Sequence, residues 1–295
     1  VTVFMQEYHK PDRTLNILPG HWRNEADFPA EGAGEATFYL HSGGLLAEKP
    51  QKEPATPADE FEYIPTLGTS SRYWSAGGLP FYLADDQRAD EAYSATYTTP
   101  ALDRPMRIFG WPKVILHGSS TAKVSTFVVK IAAVAADGSP TLFTDGSLNG
   151  TRRKSRKSPE AMNPNEVYEL SIPIQPTGWV VPKGHRIRIA ISGSDFPNLW
   201  PTPEKARLKV HRGGEYASRI VLPFLPEATL APPAFLPEPK LLQVVKGYGR
   251  PADMKLEIDQ ITGKVSLLSS GRGTTVLEDD RGLMTSDRNF RCTAS

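Results

Sequence analysis

Proline interrupts this chain so often that it can hold few long helices. The 295 residues include 27 Pro and 24 Gly, and each Pro removes a backbone donor and disrupts a helix interior at a cost of about 3 kcal/mol. The largest Pro-free segment inside the body, Lys113 to Ser139, carries Val114-Ile115-Leu116 and Phe127-Val128-Val129-Lys130-Ile131. These are β-branched and aromatic runs rather than a helical stripe.

From Ala101 onward, short apolar or alternating segments are separated by turn chemistry, the pattern of antiparallel strands in a sandwich. Tyr168, Leu170, Ile172 and Ile174 alternate with Glu169, Ser171 and Pro173; Ile187, Ile189 and Ile191 alternate with Arg186 and Arg188. Leu208 and Val210 repeat the pattern, and Ile220-Val221-Leu222 ends it before Pro223. Each set of apolar side chains falls on one face of an extended strand. Ala136-Asp137-Gly138-Ser139 and Pro182-Lys183-Gly184 read as turns. The expected fold is an all-β double sheet.

The flanks are less regular. Val1-Thr2-Val3-Phe4-Met5 is an apolar strand with no element before it, whose outer edge needs a neighbour; the expectation is a piece of a longer protein. Gln51 to Asp59 reads as a surface loop. Pro226 to Pro239 holds five prolines and reads as an extended strap. Beyond it, Lys255 to Asp259 and Val265 to Leu267 flank a turn as a hairpin, and the last residues look frayed.

Thirty-four Lys and Arg against 33 Asp and Glu leave a net charge of +1. Such a chain has no long-range field to gather nucleic acid or anionic lipid, so neither is an expected partner. No run approaches the ~18 apolar residues of a membrane span. Cys292 is the single cysteine and reads as an incidental thiol, which leaves the compartment open with the cytoplasm favoured. Thr151 to Ser158 packs five positive charges into eight residues; without interleaved aromatics it reads as a solvated loop between strands.

The catalytic signals are missing. A serine hydrolase of the α/β type needs a GxSxG elbow to expose its hydroxyl to a histidine. The nearest strings, Gly68-Thr69-Ser70-Ser71-Arg72 and Gly118-Ser119-Ser120-Thr121-Ala122, lack the second glycine and read as loop serines. The six histidines show no ligand spacing, and Asp137-Gly138 and Asp145-Gly146 read as turn pairs rather than calcium loops. No Walker A or dinucleotide pattern occurs, so no cofactor and no metal are expected. The aromatic group Tyr73-Trp74 with Phe81-Tyr82, set among glycines, reads either as core cover or as the wall of a ligand cleft.

One long string carries a family likeness. Pro182 to Asn198, reading PKGHRIRIAISGSDFPN, resembles the PGHRIRVxISSSxFPxF signature in the C-terminal jelly roll of X-Pro dipeptidyl-peptidases and the CocE/NonD (cocaine esterase) hydrolases, with Lys183 before the glycine. The likeness extends through Ser125 to Ile131, Thr144-Asp145-Gly146, Asn165 to Glu169, Asp85 to Arg88 leading to Tyr97-Thr98, and Val3-Phe4-Met5 through His21-Trp22-Arg23. It spans roughly residues 1 to 225.

The resemblance implies an α/β-hydrolase domain that carries the Ser, Asp and His upstream of Val1. Residues 1–45 are then the tail of that domain and 46–225 a galactose-binding-like jelly-roll β-sandwich packed on it. Residues 226–240 form the strap and 241–295 a C-terminal hairpin extension. This chain has no catalytic residue and is expected to be inactive alone. Its partners would be its own hydrolase domain, a small ester or peptide substrate held jointly, and another copy in an oligomer. By the same resemblance the loop after Gly68 leans over the cleft, making Arg72, Tyr73 and Trp74 candidates for the substrate-pocket wall. A free-standing carbohydrate-binding jelly roll and a cupin-like metalloenzyme are the alternatives.

Overall fold

The computed structural model describes the chain except for residues 13, 14, 16, 52–57, 72–82, 203, 236–246, 250–252, 263, 278–281 and 295. Strand occupies 45% of it and helix 4%, as the proline spacing requires. Strands β1 (Thr2–Glu7), β2 (Gly20–Asn24), β3 (Gly34–His41), β4 (Leu45–Ala47) and β5 (Asp59–Glu62) precede α1 (Arg88–Glu91), a single helical turn. There follow β6 (Ala95–Thr98), β7 (Met106–Gly110), β8 (Lys113–Ser120), β9 (Thr126–Val134) and β10 (Pro140–Asn149). After them come β11 (Tyr168–Pro173), β12 (Thr177–Val181), β13 (Arg186–Ser192), β14 (Arg207–His211) and β15 (Arg219–Leu225). A separate four-stranded sheet holds β16 (Gly247–Gly249), β17 (Asp253–Ile258), β18 (Val265–Leu277) and β19 (Gly282–Ala294).

The first fifteen strands form one hydrogen-bonded network. Its main path runs β10-β9-β13-β6-β4-β3-β15-β7-β12-β1-β2, and β11-β8-β14-β5 joins it through β8 and β15. The alternation read from the sequence decides what lies between. Ile187, Ile189 and Ile191 of β13 share one core with Leu170 and Ile172 of β11 and with Leu208 and Val210 of β14. All seven are at most 1% exposed, which is the burial that drives folding at roughly 25 cal/mol per Å² of apolar surface.

Several readings need correction. β1 finds both neighbours within the chain, antiparallel β2 and parallel β12 with Gln6 opposite Trp179, because residues 20–24 return along it. Asp145-Gly146 is not a turn. It lies inside β10, where Gly146 lets the backbone come so close to Pro173 that a Cβ would meet the Pro173 carbonyl oxygen at 2.0 Å. Gly118 to Ser120 belongs to β8 rather than to a loop. Arg188 does not face water freely: it is half-buried, donating to Thr98 Oγ1 at 2.9 Å and to Glu91 Oε2 at 2.7 Å.

The basic stretch is exposed for the most part, yet Arg153 is held in place. Its guanidinium lies 4.2 Å from the Tyr168 ring centroid and donates to the carbonyls of Gly150 and Glu160. The end of the chain is also paired rather than frayed, since β19 runs antiparallel to β18 from Val265 opposite Ala294 to Leu277 opposite Gly282. The expected hairpin is β17-β18, Ile258 opposite Val265. In the described part of the strap, the Pro226 and Ala231 carbonyls accept from Arg23 and Asn24 of β2.

Candidate functional site

Lys130 is the residue around which the site is built. β9 is paired on both edges, with β10 on one side and β13 on the other, so Lys130 stands in register with Asp145 and Ala190. Both faces of β9 are covered, and Lys130 is 8% exposed. A buried ammonium survives only with a partner. Its Nζ lies 2.6 Å from Asp195 Oδ1 and 3.4 Å from Ser71 Oγ. Burial opposes the charge on Lys130, but the Asp195 carboxylate, with Asp90 and Asp145 beyond it, more than offsets this and holds the ammonium above its usual value.

The cluster fixes residues 71 and 85, which flank the segment containing Arg72, Tyr73 and Trp74. Ser71 is fully buried; its N–H donates to Asp90 Oδ2 at 3.0 Å, its hydroxyl to the Gly68 carbonyl at 2.8 Å, and its own carbonyl accepts from Asp85 N–H at 2.8 Å. Residues 71 and 85 are thus tied directly. On the other side, Phe196 N–H donates to the Leu67 carbonyl at 2.7 Å and Ser194 Oγ to the Pro65 carbonyl at 3.1 Å. Gly68 allows the approach: its φ is +112°, and a Cβ there would meet Asp195 Oδ1 at 2.7 Å and Phe196 N at 2.8 Å. Arg72, Tyr73 and Trp74 themselves lie outside the described residues, as do Phe81 and Tyr82.

Two clefts flank this cluster and share Asp145 and Gln175 in their walls. One, of about 330 Å³, is completed by Asp195, Asn198 and Leu199; the other, of about 160 Å³, by His9, Phe143 and Trp179. Gln175 Nε2 donates to Asp145 Oδ1 at 3.0 Å. Burial, reinforced by repulsion from Asp195, pushes the Asp145 carboxyl up to about 6, against the pull of Lys130 and Gln175.

Two serines touch histidines, and neither is a nucleophile. Ser119 Oγ lies 2.8 Å from His211 Nε2, and Ser218 Oγ lies 3.4 Å from His117 Nδ1. Both serines are 1% exposed, so no substrate carbonyl can reach them. The Ser218 proton goes to the His211 carbonyl at 2.7 Å. Burial lowers both imidazoles further below the range of an effective base. Among the described residues, no three His, Cys, Asp or Glu side chains gather as a metal requires.

Residues 1–221 match the model of the X-Pro dipeptidyl-peptidase C-terminal non-catalytic domain. The chain belongs to this family. Among its relatives, the cocaine esterase of a Rhodococcus species is 28% identical over 239 residues, covering 69% of this chain and 40% of that protein. A protein of Mycobacterium tuberculosis named as a serine esterase is 27% identical over 236 residues, covering 73% and 37%. The chain therefore spans about two fifths of the length of these relatives. The fold is shared with an aminopeptidase from a marine-sediment Thaumarchaeota archaeon at a TM-score of 0.62 and 23% identity, over 69% of this chain and 38% of that one. An α-amino acid ester hydrolase gives 0.56 and 22%, over 65% and 36%. What the chain shares with these proteins is thus the non-catalytic C-terminal domain that the family model describes.

Sequence reasoning could single out Lys130 and Asp195 one at a time, but not as a pair. Lys130 interrupts an otherwise apolar nine-residue strand, and Asp195 lies in the family signature; what the sequence could not show is that β9 and the turn after β13 bring them together.

Proposed function

We propose that this region covers the core of an α/β-hydrolase domain that cleaves acyl esters or X-Pro amides, and that it shapes the acyl side of the substrate cleft. On this reading it is a galactose-binding-like jelly roll, residues 1–45 are the tail of the hydrolase domain, and Arg72, Tyr73 and Trp74 form part of the pocket wall. The observation that supports the last point is the clamp at residues 65–71 and 85. A buried ion pair, two buried serines and a close-approach glycine are spent on fixing the two ends of one aromatic loop, which is how a scaffold presents a functional segment. Two adjacent rings supply an apolar wall at low entropy cost.

The test is to replace Tyr73 and Trp74 with Ala in the hydrolase that carries this region. The expected result is a changed preference among acyl groups with the melting temperature nearly kept. A large loss of stability with unchanged selectivity would make these rings core residues and overturn the assignment.

A further inference from the structure

The outer face of β8 and β14 carries two histidines that the proposed function does not use. His117 and His211 stand directly opposite one another in the antiparallel ladder, and Glu169 of β11 takes the next place in the same row. Side chains so placed lie close enough to interact, and like charges there repel. The Tyr216 ring packs against both imidazoles, its centroid 5.6 Å from that of His117 and 5.3 Å from that of His211.

Tyr216 belongs to a turn held firmly at both ends and lightly between them. At one end Arg212, 5% exposed, donates to both Asp59 oxygens at 2.6 and 2.7 Å. At the other, buried Ser218 donates to the His211 carbonyl and accepts from His117 N–H at 2.8 Å. Gly213 and Gly214 take φ of +74° and +57°, a bend that other residues rarely make, and Tyr216 N–H donates back to the Gly213 carbonyl at 3.0 Å. Fixed ends, a glycine bend and a ring at the tip are the parts of a lid.

We propose that residues 213–217 are an acid-released lid, which closes over the uncharged His117–His211 pair and opens when both rings take up protons. The charged groups facing the pair are Glu169 on β11, Lys209 on β14 with Glu60 of β5 at 3.0 Å, Arg219 on β15, and Glu215 on the lid. Burial is the largest influence and lowers both imidazoles; Glu169 and Glu215 pull His117 back up against Arg219, whereas Lys209 and His117 lower His211 further. The first proton therefore goes to His117, whose Nε2 lies 3.5 Å from Glu169 Oε2, and the second meets that charge beneath the Tyr216 ring. Opening lets water reach and screen the two charges. The open form thus binds protons more readily than the closed one, and opening grows as pH falls below the ordinary imidazole value of 6.5. The device does not depend on the proposed role of the aromatic loop.

The test follows the Tyr216 amide of the 295-residue chain by hydrogen exchange, expressed as a protection factor so that the intrinsic pH dependence cancels. The factor should fall about tenfold from about pH 7.5 to about pH 5.5, while the Leu40 amide, which donates to the Ser218 carbonyl at 3.0 Å beyond the lid, keeps its own. In a folded His117→Gln/His211→Gln double variant, which retains hydrogen-bonding heads without the charge, the Tyr216 factor should stay constant. Tyr216 is half-buried, so Tyr216→Ala should fold, and both imidazoles should then titrate closer to their ordinary value. A Tyr216 factor that does not change with pH would overturn the proposal. So would a fall that persists in the double variant, a matching fall at Leu40, or imidazole titrations that Tyr216→Ala leaves unmoved.

Discussion

β11 and β9 both announce themselves as strands, but they say different things about what surrounds them. In β11, Leu170 and Ile172 are buried while Glu169 and Ser171 are exposed, so one face meets the core and the other meets water. In β9 every residue after Thr126 is buried, Lys130 included. An alternating strand reports which face is inside. An uninterrupted one reports that both faces are covered, and a charge within it must then have a partner built for it. The comparison thus ties a property of sequence to the placement of a site: the charged residue in the doubly covered strand anchors the clamp.

The largest effect should come from that charge. Lys130→Ala leaves Asp195 buried without its cation, and removing one member of a buried pair costs about 3–5 kcal/mol. Replacing both, as Lys130→Met with Asp195→Leu, should cost much less, because the double change removes the desolvated charges together. Urea denaturation of the two variants breaks the comparison if the single change costs under about 1 kcal/mol, for then Lys130 sits in water and β9 is half-exposed like β11.

Asp145 sharpens the same contrast through pH. Its folded-state value of about 6 stands above the 3.8 of an ordinary aspartate. The unfolded chain therefore loses this proton first, and stability falls as pH rises from about 4 to 6, then levels off. The difference corresponds to at most about 3 kcal/mol. Asp145→Asn should change little near pH 4, stabilise the chain increasingly up to about pH 6, and by a constant amount above it. Denaturation midpoints at several pH values would show it; a variant destabilised to the same degree throughout would mean that Asp145 acts through its hydrogen bond to Gln175 instead of its charge.

The strands were legible because side-chain period maps directly onto face, and Ile187, Ile189 and Ile191 needed nothing more. The turns were legible only where Gly or Asp served the turn itself, as at Asp137-Gly138, where Asp137 Oδ1 accepts from Ser139 N–H at 3.0 Å. Asp145-Gly146 looks the same in sequence, yet its glycine answers a contact with Pro173, 27 residues on in the chain. The clamp was illegible for the same reason. Ser71, Asp90, Lys130 and Asp195 are scattered over 125 positions, and each looks ordinary by itself. The family signature marked Asp195 and the segment it lies in, but gave no sign of the ion pair.

The smallest effect tests whether alternation alone predicts what a residue is worth. Arg186 and Arg188 occupy the same face of β13 and are indistinguishable by period. Arg186 is exposed, and its change to Ala should stay within about 0.5 kcal/mol. Arg188 is bound to Thr98 and Glu91, and burial already raises the Glu91 carboxyl above its usual value despite the Arg188 charge beside it. Taking Arg188 away raises that carboxyl further, so Arg188→Ala should cost about 1–3 kcal/mol at neutral pH and less in acid, where Glu91 can take up a proton. Ile189→Ala, next to Arg188 on the core face, should cost about 2–5 kcal/mol at either pH. Chemical denaturation of the three variants separates the cases. Equal small losses at 186 and 188 would place Glu91 in solvent and reduce the outer face of β13 to that of β11. A pH-dependent loss confined to 188 would show that α1, the helical turn carrying Glu91, covers the strand and extends the double coverage of β9 to its neighbour.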